Sequence, residues 1–463
     1  MPYCRNSNVE LVAVTQFNVG AQADEVMENI IIKVVNRVAY VLGDFEPGVL
    51  LESEGGAKLL VTGRRRELDP RYVEVLKIAR ELADAPDVTS VVRALVVSSS
   101  VPRPGEAVKP HQWPADAPGI YSPEGPVDLL QYTDTPHLWI VGTTGSGKTT
   151  LTKMLVERAA RDGRRVVVFD MHDEYCPTIQ KVGGMCMPMT LPFCDLNDFE
   201  LLALTGLLRV GQAIRMMRYL SYFRRAFCRL AQKVQIDNFP AALQRCADAM
   251  LLLDVIRADT QTLTGNEGIM TEFIRALKEE VGSTTFNALK EVVKKDEERM
   301  AATMMYLIQA LENVEVVLSG ELPRVAAIKL LDFRSLFNVS DPMLSVVSYT
   351  FRQLMELRED ALVVIEEAPR FLLDEAARRN VSLFLSQSRK FGIQAVIVSQ
   401  LPDELMQNTR LIVGKINNPS YAKKVAELSP HMPFEVAKLM PQLSKGQFIY
   451  MDGQRTIPIR VVV

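Results

Sequence analysis

Short runs of β-branched and aliphatic residues dominate the first part of the chain. Ile30 to Val35, Val38 to Leu42, Val49 to Leu51 and Lys58 to Val61 are separated by Gly, Asp and Pro, a pattern that predicts small antiparallel strands and a β-rich module over residues 1–100. Within it, Pro70 to Ala83 sets Val73, Val75, Leu76 and Leu82 among charges, which predicts a helix, and Val88 to Val97 reads as a further strand. Between residues 101 and 126 prolines recur every few positions. Proline has no N–H to give to a ladder or helix, so an extended linker is expected there.

From residue 127 the pattern changes. His137 to Val141 is an apolar run, Gly142 to Gly147 is glycine-rich, Lys148 to Asp162 has helical spacing, and Arg165 to Asp170 is apolar again. Strand, loop, helix and strand in that order make a βαβ unit, and hence a parallel sheet. From Asp198 to Glu312 the alternation of strands disappears and positions such as Leu201, Leu204, Leu207 and Leu208 follow helical spacing, so residues 196–320 are expected to form a helical insertion. Strand signals resume at Ala326 to Leu331, Ala361 to Ile365, Ile393 to Ser399 and Leu411 to Ile416. The chain ends in a predicted hairpin, Gln447 to Met451 and Thr456 to Val463, closed by Asp452-Gly453.

The chain has 463 residues, enough for two or three domains at ~150 residues each. Its 48% hydrophobic and 24% charged content excludes disorder as the main state. A net charge of -3 excludes bulk positive charge as the means of coating nucleic acid, so any such site is local or arises on assembly. The apolar runs fall far short of the roughly 20 residues of a membrane span, and the start, Met1-Pro2-Tyr3-Cys4-Arg5, lacks the apolar core of a secretory signal. A cytoplasmic protein without a membrane anchor is the expectation. The six cysteines, Cys4, Cys176, Cys186, Cys194, Cys228 and Cys246, include no Cys-x-x-Cys pair and no His at ligand spacing. Zinc is therefore not expected, and reduced structural thiols are.

Gly142-Thr143-Thr144-Gly145-Ser146-Gly147-Lys148-Thr149 fits G-x-x-x-x-G-K-[ST] at every fixed position, between a predicted strand and a predicted helix. In such a loop backbone N–H groups turn inward around phosphate, the helix N-terminus adds its positive end, Lys148 reaches the β and γ phosphates of ATP, and Thr149 ligates Mg²⁺. Thr150 completes the expected nucleotide-binding set. Ala361 to Ile365 leads straight into Glu366-Glu367, as the metal-binding half of a P-loop NTPase requires. We assign Glu366 to the Mg²⁺ shell and Glu367 to the attacking water. Gln400 ends a predicted strand, where α/β sheets place ligand-contacting groups, and is expected to sense the γ phosphate or the water. Arg389, with Lys390, ends the preceding helix, a position suited to an arginine finger toward a neighbouring subunit or, equally, to a simple helix C-terminal cation.

Taken in order, these segments resemble the HerA-type ATPases of the HerA-FtsK superfamily. Leu138 to Thr149 looks like that family's phosphate loop, Asp170-Met171-His172-Asp173-Glu174-Tyr175 like its acidic-aromatic stretch, and Val364-Ile365-Glu366-Glu367-Ala368 like its Walker B segment. Ser388 to Ile393 and Val398-Ser399-Gln400-Leu401-Pro402 resemble its finger and sensor run, and Leu443 to Ile449 with Ile457-Pro458-Ile459 its closing hairpin. The sequence departs from the family where Glu366 replaces the usual Asp and Pro369 a common His.

The resemblance implies an α/β fold: a RecA-like P-loop NTPase core over residues 127–463, preceded by a small barrel-like β domain. It also implies a homohexameric ring that draws double-stranded DNA through its channel, cooperating with a NurA-type nuclease in DNA end resection and repair. Cations facing such a channel would come from Arg215, Arg218, Arg225 and Arg229 on one helix face, or from Arg64-Arg65-Arg66, although a solvated basic face accounts for either group. Two other functions stand beside this one: a viral packaging or conjugative-type ATPase, which keeps the same engine with different cargo, and, from another class, a nucleotide-gated scaffold recruiting a nuclease or defence effector, in which ATP serves assembly more than movement.

Overall fold

The computed structural model describes residues 29–463 apart from 36, 44, 66–90, 114–116, 132, 206–212, 254–265, 313, 331–341, 373–374, 430–431, 433 and 454. The helix expected at Pro70 to Ala83 lies outside the described residues. The chain divides into two compact units, residues 1–155 with 396–463, and residues 156–395.

The first unit opens with an antiparallel sheet in the order Ile30–Val35, Val38–Leu42, Val91–Val96, Lys58–Arg65, Leu50–Ser53, Val108–Pro110. The register pairs Ala39 with Ala94 and Val41 with Val92, while Tyr40 pairs with Arg93 on the other face. Strand side chains alternate between faces, so this pairing gathers Ile31, Ala39, Val41, Leu51, Leu59, Val61, Val92, Ala94 and Val96 into one core. Register shifts at Ile31/Lys33 and Val61/Gly63 add local twist, and the sheet curls.

The proline-rich stretch is partly paired. Val108–Pro110 closes the first sheet against Leu51 to Ser53, and Gly119–Ser122 pairs with Val462 to Arg460 in a second sheet. There, Leu138–Val141 lies between two parallel neighbours, Val396 to Ser399 and Arg410–Val413. All four of its residues are buried, as expected of a central strand that reads as an unbroken apolar run. Next come the antiparallel strands Gln447–Asp452 and Arg455–Val462, the hairpin that the Asp-Gly turn predicts. Arg410 is only 2% exposed and donates to the Leu129 and Pro136 carbonyls and the Tyr450 hydroxyl, tying the start of this region to its last hairpin.

The second unit contains parallel strands in the order Met185–Pro188, Val325–Lys329, Arg165–Asp170, Ala361–Ile365. Its helices Asp198–Leu204, Ala213–Lys233, Phe239–Leu251, Asn266–Lys295 and Glu297–Glu312 occupy the segment read as a helical insertion. Phe193, Phe223, Phe227, Phe239 and Phe273 pack ring to ring in its core. Glu200 anchors it: 1% exposed, its carboxylate accepts from the Asn197 N–H and from the Arg352 guanidinium, while its own N–H caps onto Asn197. That pairing pushes the Arg352 pKa up.

Two expectations need correction here. Arg225 and Arg229 do not form an open basic face: they pair with Glu279 and Glu280 of the Asn266–Lys295 helix. Nor are the thiols mostly reduced. Cys176 is bonded to Cys186 and Cys194 to Cys228, leaving Cys246 as a buried free thiol among the described residues. Metal-type cysteine pairs are close in sequence, whereas these bonds join cysteines that strand and helix packing bring together across 10 and 34 residues.

Candidate functional site

In the first unit the glycine-rich loop follows the buried Leu138–Val141 strand and runs into the Lys148–Arg161 helix. Its entry is fixed from outside the motif. The Thr143 N–H and hydroxyl both donate to the Lys415 carbonyl, at 2.7 and 2.9 Å, and the Gly142 N–H donates to Ser399. Its far side rests on the last hairpin, where the Gly446 N–H donates to the Ser146 carbonyl at 3.0 Å. Gly147 adopts φ 102°, and a Cβ there would stand 3.2 Å from the Gly446 nitrogen. Glycine is required for both reasons, the dihedral and the close approach.

Lys148 is buried, with its ammonium on the Gly142 and Thr143 carbonyls at 2.8 and 3.1 Å. The Ser146 hydroxyl oxygen is buried and has no hydrogen-bond partner among the described residues. Thr144 is exposed and donates to Gln400 Oε1 at 3.1 Å, so the structure brings Gln400 to the loop. Thr149 and Thr150 lie half-buried in the first turn of the helix. A cationic ammonium, an orphaned hydroxyl and a helix N-terminus around one loop fit a phosphate chain.

The second unit brings the acidic residues together. Asp170, at the end of its strand, accepts from the N–H groups of His172, Glu174 and Tyr175, which winds the chain into a tight loop. Asp173 sits in that loop at φ 61° and pairs with Lys329 at 2.7 Å. Tyr175 is 1% exposed, and its phenol donates to Glu366 Oε1. Glu366 is 9% exposed, at the end of Ala361–Ile365, and its N–H donates to the Phe169 carbonyl. Glu367 is half-buried, at φ 49°, with Oε1 at 3.8 Å from His172 Nε2. A non-glycine residue held there costs about 1–2 kcal/mol, and such strain clusters at functional sites.

Glu366 and Thr149 both offer hard oxygen donors of the kind Mg²⁺ takes. Among the described residues no cluster of three or more His, Cys, Asp or Glu suits a metal. That is compatible with Mg²⁺ in a P-loop site, which relies on few protein ligands plus phosphate oxygens. Arg389 and Lys390 are exposed on the turn Arg389–Phe391, which Gly392 ends at φ 75°. The Arg64 and Arg65 side chains, the Arg215 side chain and Arg66 lie outside the described residues, while Arg218 is exposed. Sequence reasoning gave no role to Tyr175, His172, Lys415 or Gly446. The acidic-aromatic stretch was visible as a motif, but the partner of its tyrosine was not.

Parallel strands with a G-x-x-x-x-G-K-T loop leading into a helix, and a buried strand ending in two carboxylates, define a RecA-like P-loop NTPase core. The family described as "Helicase HerA, central domain" matches residues 129–411, and the chain belongs to that family. The chain is 26% identical over 349 residues to the "DNA double-strand break repair helicase HerA" of Saccharolobus solfataricus, covering 71% of this chain and 64% of that protein. It is 23% identical to the protein of the same description from Sulfolobus acidocaldarius, covering 70% and 63%. This chain thus spans somewhat under two thirds of the length of these curated relatives. Among solved structures it overlays on VirB4 of Thermoanaerobacter pseudethanolicus (TM-score 0.43, 18% identity, 75% of this chain and 97% of that one). It also overlays on the bacterial conjugative coupling protein TrwB (TM-score 0.45, 14% identity, 70% and 84%). Both overlays are loose, and family membership rests on the sequence match. Among the described residues no helix is long and apolar enough to cross a membrane.

Proposed function

We propose that this chain is an ATP-hydrolysing translocase or helicase acting on double-stranded DNA. The observation that carries the reading is a complete phosphate loop, with Lys148 held at its centre, inside a chain of the HerA helicase family. Magnesium, when bound, neutralises charge on the β and γ phosphates, and Thr149 and Glu366 would hold it. Lys148 leaves the Gly142 and Thr143 carbonyls for the phosphates. Glu367 orients the attacking water and accepts its proton, with Gln400 beside the γ phosphate, from where its bond to Thr144 connects phosphate state to the loop.

Arg389 is exposed on a short turn, as a finger serving a neighbouring subunit must be. A homohexameric ring with duplex DNA in its channel, working with a NurA-type nuclease in end resection, fits the family and the near-neutral charge. A ring needs only a few cations per subunit to follow phosphates. The test is DNA-stimulated ATP hydrolysis by the wild-type chain and by Lys148→Ala. Loss of turnover in the variant is expected, and undiminished turnover rejects the assignment.

A further inference from the structure

The carboxylate read as the metal ligand is a glutamate, one methylene longer than aspartate and with one more rotatable bond to fix. The structure supplies the means of fixing it. Tyr175 is fully buried and its phenol donates to Glu366 Oε1. The tyrosine is itself held from both sides. Its N–H is bound to Asp170 Oδ2 at 2.8 Å, and the next residue, Cys176, starts the Cys176–Lys181 helix and is bonded to Cys186 on the Met185–Pro188 strand. A phenol has a single O–H to donate, so this bond holds the carboxylate by one named oxygen and fixes its rotation about the last side-chain bond.

Resting on the function proposed above, we propose that Tyr175 is a positioning residue: it pins Oε1 of Glu366, fixes the orientation in which this carboxylate would serve Mg²⁺, and so lets a glutamate act where an aspartate is usual. Groups that orient a metal ligand from behind typically change metal affinity 10- to 100-fold when removed, so that is the size of effect expected. Tyr175→Phe removes only the hydroxyl and keeps the buried ring in place.

The experiment is a binding titration of the full chain with a fluorescent ATP analogue, in EDTA and across a Mg²⁺ series, for wild type, Tyr175→Phe, Glu366→Asp and the double variant. Tyr175→Phe is expected to raise the Mg²⁺ concentration at half-saturation roughly 10- to 100-fold while leaving affinity in EDTA unchanged. In the Glu366→Asp background, where the shorter carboxylate no longer reaches the phenol, adding Tyr175→Phe is expected to change it by less than about twofold.

Wild-type Mg²⁺ dependence in Tyr175→Phe overturns the proposal. So does an equal loss with and without Mg²⁺, the mark of a merely structural role, or an undiminished effect in the aspartate background. A wild-type chain that binds no ATP overturns the proposed function as well. Failure of Tyr175→Phe alone, in a chain that binds ATP with Mg²⁺, overturns only this inference.

Discussion

Gly446 lies almost 300 residues from the phosphate loop in sequence, yet its N–H donates to the Ser146 carbonyl and its nitrogen stands under Gly147. It adopts φ 81°, and a Cβ there would meet the Val461 carbonyl oxygen at 3.2 Å. Gly446→Ala therefore puts an alanine in the left-handed region, at about 1–2 kcal/mol, before that contact is counted. The chain can relieve the strain only by shifting residue 446, which releases Ser146 and the floor beneath Gly147. If the strain is relieved in the free loop and restored on binding, the competent fraction falls and apparent ATP affinity weakens roughly 5- to 30-fold. The control is Gly453→Ala at the hairpin tip, where φ is 56° and an added methyl meets nothing within 4 Å. It carries comparable strain away from the loop. Titration with a fluorescent ATP analogue, well below the melting temperature, should show the loss in Gly446→Ala and near wild-type affinity in Gly453→Ala. Wild-type affinity in the first variant, or an equal loss in both, refutes the buttress.

Further outcomes are expected. Glu200→Ala removes a buried carboxylate that Arg352 and the Asn197 cap both use, and should destabilise the second unit by about 3–5 kcal/mol, read as a lower first thermal transition. Reduction of the Cys176–Cys186 and Cys194–Cys228 bonds should lower stability by roughly 3 and 4 kcal/mol from their loop lengths. Thiol titration in denaturant should count fewer free thiols without reductant than with it. Glu52 is held below the ordinary carboxylate range, chiefly by its hydrogen bond from Lys58. Because the folded pKa is the lower one, its contribution is complete above the unfolded value and is lost as pH falls through the folded one. An NMR titration should show that low midpoint rise in Lys58→Met. If subunits assemble as proposed, mixing Arg389→Ala with Glu367→Gln chains should restore ATP turnover in some mixed assemblies, and no recovery at any ratio counts against a finger acting across subunits.

The parts of this molecule legible in its sequence are those whose physics is local. The phosphate loop must be contiguous, because successive N–H groups line it, and its spacing survives as a pattern. The carboxylates Glu366 and Glu367 were visible because a buried parallel strand reads as an apolar run and ends abruptly. Tyr175 and Glu366 meet across 191 residues, and their contact depends on the register of Arg165–Asp170 against Ala361–Ile365, which no single segment encodes. The arginine face of Ala213–Lys233 looked open because Glu279 and Glu280 lie about fifty residues further on. The disulfides were missed for the same reason, since each joins separate elements.

In the proposed function, ATP hydrolysis at this loop moves the protein along duplex DNA. Triplex displacement measures this directly, using a duplex that carries a labelled third strand. Displacement is expected to require ATP and to be abolished by Lys148→Ala and by Glu367→Gln. Robust DNA-stimulated ATP turnover without displacement, or displacement that persists in Lys148→Ala, would contradict it.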